Sequence, residues 1–365
     1  MTHAAATPAL VLDRDVLERN VARMADHAAE LGVELWPHVK THKCAEVIRA
    51  QLAAGAAGVT VATPAEAELA HAAGARAILV AHPPVQADRL ARIVALAAAV
   101  RVRVALDSEA AAEALDAACR AAGVEAAWLW ELDCGTGRCG TAPGDATAER
   151  VAALAGRLRG ARFEGLMTFG GHAYGGDVRA AAADERDALA VTAAALERRG
   201  VPVAARSAGT TPTTWALQEA GPVTELRPGN YVFHDATQVA LGAAGWQDCA
   251  LTVQGTVVSR PDPRRVILDA GSKALAAERM TPLTPDLGHV AGHPGLTVER
   301  LYEEHAILTA AEPVDLPVGA RLAIVPNHAC AAANLHERMV VLAGGARVGE
   351  WAVAARGWDP VAQPD

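Results

Sequence analysis

The sequence predicts an α/β protein that combines a (β/α)8 TIM-type barrel with a second, mostly antiparallel β domain. In residues 1–240, short runs rich in β-branched and aromatic residues alternate with longer stretches rich in alanine, glutamate and arginine, which indicates parallel strands joined by helices. In the remaining residues, apolar positions recur with a period of two between turn residues, and no long helical pattern separates the runs. This second pattern is typical of antiparallel strands.

Eight strand candidates occur in the first part of the chain, at spacings of roughly 20–40 residues that leave room for a crossover helix. In chain order they are "VELWPHVK", "GVTVAT", "AILVAHP", "VRVALD", "AAWLWELD", "FEGLMTF", "VPVAARS" and "VTELRPG". Stretches between them, such as "SEAAAEALDAACRAAG", end in glycine, which favours the conformation that terminates a helix. A closed barrel explains this pattern best, and an open, doubly wound sheet is the structural alternative.

The second domain is predicted from the runs "CALTVQGTVVS", "RRVILDAG", "LTVERLYEEHAILT", "RLAIVPNHAC" and "RMVVLAGGARVGEWAVAARG". We therefore assign residues 1–240 to the barrel and residues 241–365 to the β domain. The early strand "PALVLD", residues 8–13, can belong to either domain, so residues 1–20 are an open assignment.

Composition restricts the class of function. Hydrophobic residues make up 52% and charged residues 21% of the 365 residues, which is the balance of a soluble globular protein. The net charge of −9 argues against nucleic acid or an anionic membrane surface as a partner. The sequence contains neither an uncharged apolar stretch of about 18 residues nor a secretory signal at its start. With six scattered cysteines, these features predict a cytoplasmic protein with reduced thiols.

The end of the first predicted strand carries an unusual group of basic residues. If the strand is extended, its alternation places His38, Lys40 and His42 on one side. A lysine among other cations at a barrel mouth has its charged form disfavoured, and its amine becomes a better nucleophile. The segment therefore predicts a Schiff-base lysine, with a solvated strand end as the simpler alternative.

The loops after four other predicted strands are rich in glycine or hydroxyl residues. They are "DCGTGRCG" (133–140), "GGHAYGG" (170–176), "SAGTTPT" (207–213) and "RPGNY" (227–231). Carboxyl ends of parallel strands meet at one face of a barrel, and such loops let backbone amides approach a phosphate. The sequence therefore predicts a phosphorylated ligand, although each single glycine is also an ordinary turn residue.

Several of these motifs together resemble a known family. In chain order they are "PHVKTHK", "ATPAEAEL", "DCGTGRCG", "SAGTTPT", "ELRPGNYVFHD", "DAGSKAL", "EEHAIL" and "PNHACAAANLHE". They run along nearly the whole chain and are similar to the alanine-racemase-type, fold type III pyridoxal-phosphate enzymes. Within that class the chain resembles the D-serine dehydratase and D-threonine aldolase family, and most of all its D-serine dehydratase-like branch.

The resemblance implies roles for individual residues. Lys40 would hold pyridoxal phosphate covalently, and Lys40 or its neighbour His42 would move the substrate proton. Arg138 would lie near the phenolic oxygen of the cofactor, and Tyr174 would contact its ring. The phosphate would be bound by amides and hydroxyls of Ser207, Gly209, Thr210, Thr211, Gly229, Asn230 and Tyr231.

The segment "PNHAC" follows an apolar run in the predicted β domain. If it is extended, His328 and Cys330 point to the same side, and imidazole and thiolate groups are good zinc ligands. This pattern more commonly reflects core packing, with a buried histidine and a cysteine that acts as a small apolar residue. The resemblance adds weight, because dehydratase-like members resemble His-x-Cys and the aldolases resemble His-x-Asp. A divalent metal is therefore expected, zinc first, with manganese, magnesium and cobalt as alternatives. We discount Cys134 and Cys139 as a metal pair.

The expected function is a lyase that depends on pyridoxal phosphate and a divalent metal and acts on D-3-hydroxy amino acids. Dehydration of D-serine, D-threonine or D-threo-3-hydroxyaspartate would yield a 2-oxo acid and ammonia. The alternatives are aldolase cleavage to glycine and an aldehyde, a racemase with Tyr302 as its second base, and a carrier of pyridoxal phosphate without turnover. The resemblance also implies a homodimer. A small D-amino acid is the expected partner, without nucleic acid or membrane.

Overall fold

The computed structural model describes residues 6–280 and 282–357. The two predicted domains include residues 1–5 and 358–365, which lie outside the described residues. Its strands are β1 (Ala9–Asp13), β2 (Glu34–Leu35), β3 (Val59–Val61), β4 (Ala77–Val80), β5 (Arg101–Leu106), β6 (Ala126–Leu132), β7 (Ala161–Thr168), β8 (Ala205–Ala208), β9 (Glu225–Leu226), β10 (Leu251–Asp262), β11 (Arg265–Leu268), β12 (His289–Val290), β13 (Leu296–Leu301), β14 (Ala306–Ala310), β15 (Arg321–Val325), β16 (Arg338–Ala343) and β17 (Ala346–Ala352).

The helices are α1 (Arg14–Leu31), α2 (Ala45–Ala53), α3 (Pro64–Ala72), α4 (Ala87–Leu96), α5 (Glu109–Ala122), α6 (Asp145–Arg157), α7 (Val178–Glu197), α8 (Thr211–Ala216), α9 (Ala236–Ala240), α10 (Ser272–Leu275) and α11 (Ala329–Leu335). Short 3₁₀ turns lie at Val39–Thr41, Gly171–Gly175, Asn230–Val232 and Trp246–Asp248. Within the described part of the chain, none of the helices is long and apolar enough to span a lipid bilayer.

The chain divides into two compact units, which we call the barrel unit and the β unit. The described residues of the barrel unit are 23–40 and 45–229, and those of the β unit are 6–22, 41–44 and 230–357. In this division, residues 230–240 and the early strand β1 belong to the β unit.

The barrel unit contains eight parallel strands in the order β2-β9-β8-β7-β6-β5-β4-β3. The two ends of this row are joined by a parallel bridge between His38 and Thr60, and the amide of Thr60 donates to the carbonyl of Pro37 at 2.8 Å. The predicted (β/α)8 barrel is therefore confirmed, and the open sheet is wrong. Every strand begins near the sequence run that predicted it, because buried apolar runs of this length form strands between helices.

Alternation along the strands fills the barrel with side chains. One buried cluster contains Trp36, Ala77, Leu79, Ala105, Leu129, Met167 and Ala205, which come from neighbouring strands. Helix α5, between strands β5 and β6, begins and ends at residues that favour caps. Ser108 accepts a hydrogen bond from the amide of Ala111 at the start of α5, and Gly123 ends α5 with a φ of 66°.

The β unit contains a nine-stranded sheet in the order β11-β14-β13-β12-β15-β10-β1-β16-β17. All neighbouring strands are antiparallel except β1 and β16, which run parallel. The predicted mostly antiparallel second domain is confirmed. Strand β1 has both of its edges paired in this sheet, since it lies between β10 and β16.

Two local expectations are wrong. The first barrel strand ends at Leu35, and Val39–Thr41 is a 3₁₀ turn, so His38, Lys40 and His42 do not share one face of an extended strand. The segment "PNHAC" is not extended either, because strand β15 ends at Val325 and helix α11 begins at Ala329. In both places a polar segment that follows an apolar strand turns at the strand end, where the ladder of hydrogen bonds stops.

Candidate active site

The chain has three lysines, Lys40, Lys43 and Lys273. Lys43 donates from Nζ to Asn334 Oδ1 at 2.8 Å. Lys273 forms ion pairs with Glu303 and Glu304, and their hydrogen bonds raise the pKa of its amine, which keeps it protonated. The Lys40 amine lies 5.7 Å from the ring centroid of Phe169, the residue directly after barrel strand β7, so Lys40 is the candidate for covalent binding of an aldehyde.

Lys40 and Arg138 approach the same aromatic ring in the barrel unit. Phe169 follows strand β7 directly, and its ring centroid lies 5.7 Å from Lys40 Nζ and 4.2 Å from Arg138 Cζ. The structure therefore brings together two of the predicted site residues around a residue that sequence analysis missed. Its position in the sequence could have identified Phe169 as a site residue, because it is the first residue beyond a barrel strand, where catalytic groups of this fold lie.

A buried carboxylate lies beside Arg138. Glu131 is 2% exposed and its Oε1 is 3.7 Å from Arg138 Nη2. Burial raises the pKa of the Glu131 carboxyl, although Arg138 and Arg227 oppose that effect. Its second oxygen, Oε2, has no hydrogen-bond partner among the described residues. Glu131, Arg138 and Phe169 line a cavity together with Leu132, Asp133, Thr136 and Cys139.

The loops after β6 and β7 are bound to each other. Thr136 donates from its hydroxyl to the carbonyl of Phe169 at 2.6 Å and accepts from the amide of Gly171 at 3.0 Å. The predicted ring contact, Tyr174, lies in the 3₁₀ turn Gly171–Gly175 of the second loop and is half-buried. This arrangement fixes the position of Phe169, and with it the surface that Lys40 and Arg138 share.

The end of β8 contains buried hydroxyl groups. Ser207 is fully buried, and Thr210 caps helix α8 by accepting from the amide of Thr213. Thr211 is the first residue of α8 and is buried. Gly209 has a φ of +95°, and a Cβ there would lie 2.6 Å from Thr214 Oγ1, so only glycine fits. The Thr214 hydroxyl is buried without a hydrogen-bond partner in the described part of the chain.

Two charged residues that sequence analysis missed support this end of the barrel. The Arg227 guanidinium donates to Ser207 Oγ at 2.5 Å and to the carbonyl of Thr168, and its burial lowers its pKa. Glu185 Oε1 accepts from the amides of Gly170 and Gly209, both at 3.0 Å. The amide of Gly209 is therefore engaged with Glu185. Arg227 lay inside the quoted motif "ELRPGNYVFHD", whereas Glu185 lies in a helix that gave no signal.

The last predicted phosphate contacts, Gly229, Asn230 and Tyr231, are consecutive in the chain. Gly229 is the last residue of the barrel segment, and Asn230 and Tyr231 are buried in a 3₁₀ turn of the β unit. The side chain of Asn230 donates from Nδ2 to Asp235 Oδ2 at 2.5 Å, and its Oδ1 has no partner among the described residues. One of the two N–H donors of the side-chain amide is thus engaged by Asp235.

The other predicted catalytic residue, His42, belongs to the β unit. It is fully buried, its Nδ1 accepts from the amide of Cys44 at 3.2 Å, and its ring meets the edge of Phe233 at 6.4 Å. These contacts show a histidine packed in a core. Its predicted role in proton transfer stays a prediction.

His328 and Cys330 meet at the start of helix α11. His328 is the N-cap residue, Cys330 is the second residue of the helix, and Glu278 Oε2 lies 2.5 Å from His328 Nδ1. Burial lowers the pKa of His328, but the hydrogen bonds and charges of Cys330 and Glu278 and the charge of Asp235 outweigh it and raise the pKa to about 11. The extended geometry was wrong, yet the turn into the helix brings the two side chains together.

This pair has the chemistry of a partial metal site. Imidazole and thiolate are ligands of zinc, and a carboxylate on the second ring nitrogen orients a ligating histidine. Within residues 6–280 and 282–357, no group of three or more histidine, cysteine, aspartate or glutamate side chains is arranged to hold a metal ion. Cys330 also donates from Sγ to Thr41 Oγ1 at 3.2 Å, and Thr41 is the next residue in the chain after Lys40.

Comparison with known proteins identifies the family. Residues 12–237 match the model of the alanine racemase N-terminal domain, and residues 250–342 match that of the putative serine dehydratase domain. The chain therefore belongs to the alanine-racemase-type, fold type III pyridoxal-phosphate family.

Its relatives include several enzymes that match over almost their whole length. D-threo-3-hydroxyaspartate dehydratase from Delftia sp. (strain HT23) is 36% identical, and the match covers 94% of this chain and 96% of the relative. D-threonine aldolase from Arthrobacter sp is 34% identical, with 96% and 93% covered. D-serine dehydratase from Dictyostelium discoideum is 27% identical, with 90% and 91% covered.

Solved structures show the same fold. The structure of the Delftia dehydratase has a TM-score of 0.89 at 35% identity and covers 97% of this chain and 99% of that one. D-threonine aldolase from Filomicrobium marinum has a TM-score of 0.87 at 32% identity, with 96% of each chain covered. An alanine racemase from Clostridium difficile 630, at 14% identity and a TM-score of 0.72, shows the fold alone.

Proposed function

We propose that this protein is a lyase that depends on pyridoxal phosphate and a divalent metal and dehydrates a D-3-hydroxy amino acid to a 2-oxo acid and ammonia. The observation that carries the proposal is the paired His328 and Cys330, whose thiol donates to Thr41, the residue bonded to Lys40. A lysine for the cofactor and a thiol-containing metal pair are the two parts that this reaction requires.

The residues of the barrel unit fit pyridoxal phosphate. Lys40 supplies the amine, Arg138 supplies a cation beside it, and Gly209 leaves space that a Cβ would fill, next to the Thr214 hydroxyl. We propose that Ser207, Thr210, Thr211, Gly229, Asn230 and Tyr231 hold the phosphate and that Tyr174 contacts the ring. The bound cofactor would supply an electron sink for the charge that develops at the α-carbon.

The chain's own groups then have separate tasks. Lys40 would supply the base for the proton of the α-carbon, and Phe169 restricts where its amine can lie. Arg138 is held between the Phe169 ring and the Glu131 carboxylate, so its charge is oriented before the substrate arrives. His42 remains the proposed second proton-transfer group.

His328 and Cys330 would hold the metal, which would act as a Lewis acid on the β-hydroxyl, a poor leaving group without assistance. Their nitrogen and sulfur donors favour zinc, with manganese, magnesium and cobalt as the alternatives. Mutant structures of the related dehydratase support this assignment. In these structures a histidine and, two positions later, a cysteine are each replaced by alanine, and the cysteine mutant is in the metal-free form.

Retro-aldol cleavage to glycine and an aldehyde is the second candidate. It is supported by D-threonine aldolase at 34% identity and by 3-hydroxy-D-aspartate aldolase from Paracoccus denitrificans (strain Pd 1222) at 31% identity. The racemase alternative rests on Tyr302, which is 54% exposed and has Arg300 Nη1 at 3.5 Å from its hydroxyl. We also propose that the protein is cytoplasmic and forms a homodimer. Sedimentation of the purified protein tests the homodimer.

The test is incubation of the purified protein with D-serine, D-threonine and D-threo-3-hydroxyaspartate. We expect 2-oxo acid and ammonia as the products. Glycine plus an aldehyde as the main product would overturn the dehydratase proposal in favour of the aldolase, and loss of chirality with the β-hydroxyl retained would favour the racemase. Cofactor binding without any of these products would favour the carrier.

A paired set of variants tests the metal. Cys330→Ala should lose the bound metal and the dehydratase activity, while Cys249→Ala should keep both. Cys249 is a suitable control because it is another cysteine of the β unit, and burial raises the pKa of its thiol to about 12. Retention of stoichiometric metal in Cys330→Ala would contradict the assignment.

A further inference from the structure

The residue Asp235 connects segments to which sequence analysis gave separate tasks. Its side chain is fully buried in the β unit and is not one of the predicted ligands of cofactor or metal. Oδ2 accepts from Asn230 Nδ2 at 2.5 Å and from the backbone amide of Ala329 at 2.8 Å. Oδ1 accepts from the amide of Gln238 at 3.0 Å. One carboxylate therefore binds three separate donors.

Two of these donors belong to segments of the candidate site. Asn230 is a proposed contact of the cofactor phosphate, and its side chain is fixed by Asp235. Ala329 lies between His328 and Cys330, so its amide belongs to the backbone that spaces the proposed metal ligands. A single oxygen atom of Asp235 thus holds both segments.

The surrounding backbone strengthens this connection. The amide of Ala236 donates to the carbonyl of Pro326 at 3.1 Å, and the Thr237 hydroxyl donates to the carbonyl of Asn327 at 2.7 Å. The residues that follow Asp235 are therefore bound to the residues that precede His328. In a buried environment such hydrogen bonds define one geometry, because a donor or acceptor left without a partner there destabilises the fold.

We propose that Asp235 is a positioning residue that couples metal binding at His328 and Cys330 to cofactor binding at Asn230. The inference rests on the proposed function for the identity of the two ligands. When the cofactor orders Asn230, Asp235 is held in the position that also fixes Ala329. When the metal orders the segment around Ala329, the same contact fixes Asn230. Such coupling is reciprocal, so each ligand increases the affinity for the other by the same factor.

The first test is the affinity for zinc alone, measured by competition with a chelator on protein freed of pyridoxal phosphate. Asp235→Asn keeps the size of the side chain but places an amide donor where Asn230 Nδ2 or the Ala329 amide needs an acceptor. We expect a loss of about 10–100-fold in zinc affinity, the range typical of groups that orient metal ligands. Zinc affinity within twofold of the wild type would overturn the proposal.

A matched control is available in the barrel unit. Asp116 Oδ1 accepts from the amides of Arg159, Gly160 and Ala161, so Asp116→Asn also disturbs a carboxylate that binds three donors. This variant should unfold at lower denaturant concentration and keep the zinc and cofactor affinities of the wild type. Equal losses of zinc affinity in both variants would mean that general destabilisation is the cause and would overturn the proposal.

The second variant, Asn230→Ala, remains informative if Asp235→Asn does not fold. Asn230 is a proposed cofactor contact, so a purely local role predicts weaker binding of pyridoxal phosphate and unchanged zinc affinity. Coupling through Asp235 predicts a loss in zinc affinity of at least about threefold in the absence of cofactor. Unchanged zinc affinity would overturn the proposal.

Finally, zinc affinity of the wild type should increase by about tenfold when pyridoxal phosphate is bound, and this ratio should fall to near one in Asp235→Asn. Equal zinc affinity of the wild type with and without cofactor would overturn the coupling. A wild type that binds neither ligand would instead contradict the proposed function, so the two failures are distinguishable.

Discussion

The two ends of the barrel both bury charged residues, but they arrange them differently. Towards the amino ends of the strands, Arg103 is 1% exposed, lies 2.5 Å from Glu225 and 3.5 Å from Glu164, and has its guanidinium 4.3 Å from the centre of the Trp36 ring. Glu164 also pairs with Arg101. Arg103 therefore has a glutamate on two sides, although its Nε has no hydrogen-bond partner among the described residues.

At the carboxyl ends of the strands, the matching is incomplete. Glu131 has an oxygen without a partner in the described residues, and the hydrogen bonds of Arg227 go to neutral oxygens of Ser207 and Thr168. Lys40 and Arg138 approach the face of Phe169. Glu131 thus keeps a buried acceptor without a hydrogen-bond partner beside Arg138, which supports the proposal that a ligand binds at this end.

From this comparison we infer that the two ends of the barrel have different tasks. Ion pairs that satisfy each other can close the amino end, where nothing has to bind. The opposite end keeps charges that a ligand can complete. Variants of the two ends should therefore have opposite phenotypes.

The largest effect is expected for Lys40→Ala. Removal of the amine should eliminate covalently bound cofactor and reduce the turnover by at least about a thousandfold, with little change in unfolding free energy. The visible absorbance of the cofactor and steady-state kinetics measure these quantities. The control is Lys273→Ala, at the exposed lysine that pairs with Glu303 and Glu304. Covalent cofactor retained in Lys40→Ala would show that another amine carries it.

The second largest effect is a loss of stability at the amino ends of the barrel strands. Arg103→Ala should lower the unfolding free energy by about 3–5 kcal/mol, because it leaves Glu164 and Glu225 buried without their central partner. Denaturant unfolding measures the loss, and the folded fraction should keep its cofactor affinity. Arg92→Ala, which breaks the exposed pair with Glu68, should cost less than about 1 kcal/mol. A change in cofactor affinity in Arg103→Ala would contradict the separation of the two ends.

A smaller effect is expected for Ser207→Ala at the carboxyl end. Arg227 loses a buried acceptor, which should cost about 1–3 kcal/mol of stability, and the affinity for pyridoxal phosphate should fall as well. The control variant is Ser108→Ala, which removes the N-cap serine of α5 and should lower the unfolding free energy by about 1 kcal/mol. It should leave cofactor affinity unchanged. An unchanged cofactor affinity in Ser207→Ala would remove this residue from the proposed site.

The smallest effect is the pH dependence of stability at Glu131. Burial raises the pKa of this carboxyl above its ordinary value of 4.5, so the folded state binds the proton more tightly than the unfolded state. The resulting stability is present below pH 4.5 and is lost as the pH rises through the raised pKa. Glu131→Gln should therefore lose less stability than the wild type over that interval in denaturant titrations. If the unfolding free energies of Glu131→Gln and of the wild type changed with pH in parallel, Glu131 would not titrate in this range.

Much of the architecture followed from the sequence alone. Buried strands between helices produce a regular alternation of composition, and the change to period two after residue 240 reflects a sheet with one face in the core. The motifs around Lys40, Arg138, Ser207 and His328 also identified the family, because each is a short local pattern. The geometry within those motifs did not follow, since the turns at Val39–Thr41 and at the start of α11 depend on what the segment packs against.

The sequence by itself thus determined the barrel, the antiparallel sheet and the family, because these depend on periodicity and on residues close together in the chain. Tertiary structure alone decided which distant residues meet: Phe169 beneath Lys40 and Arg138, Glu185 on the amides of two loops, and Asp235 between Asn230 and Ala329. Such contacts join positions that are far apart in the chain, as Lys40 and Phe169 are, and no local pattern encodes them. They exist because buried polar groups must find partners wherever the fold provides them.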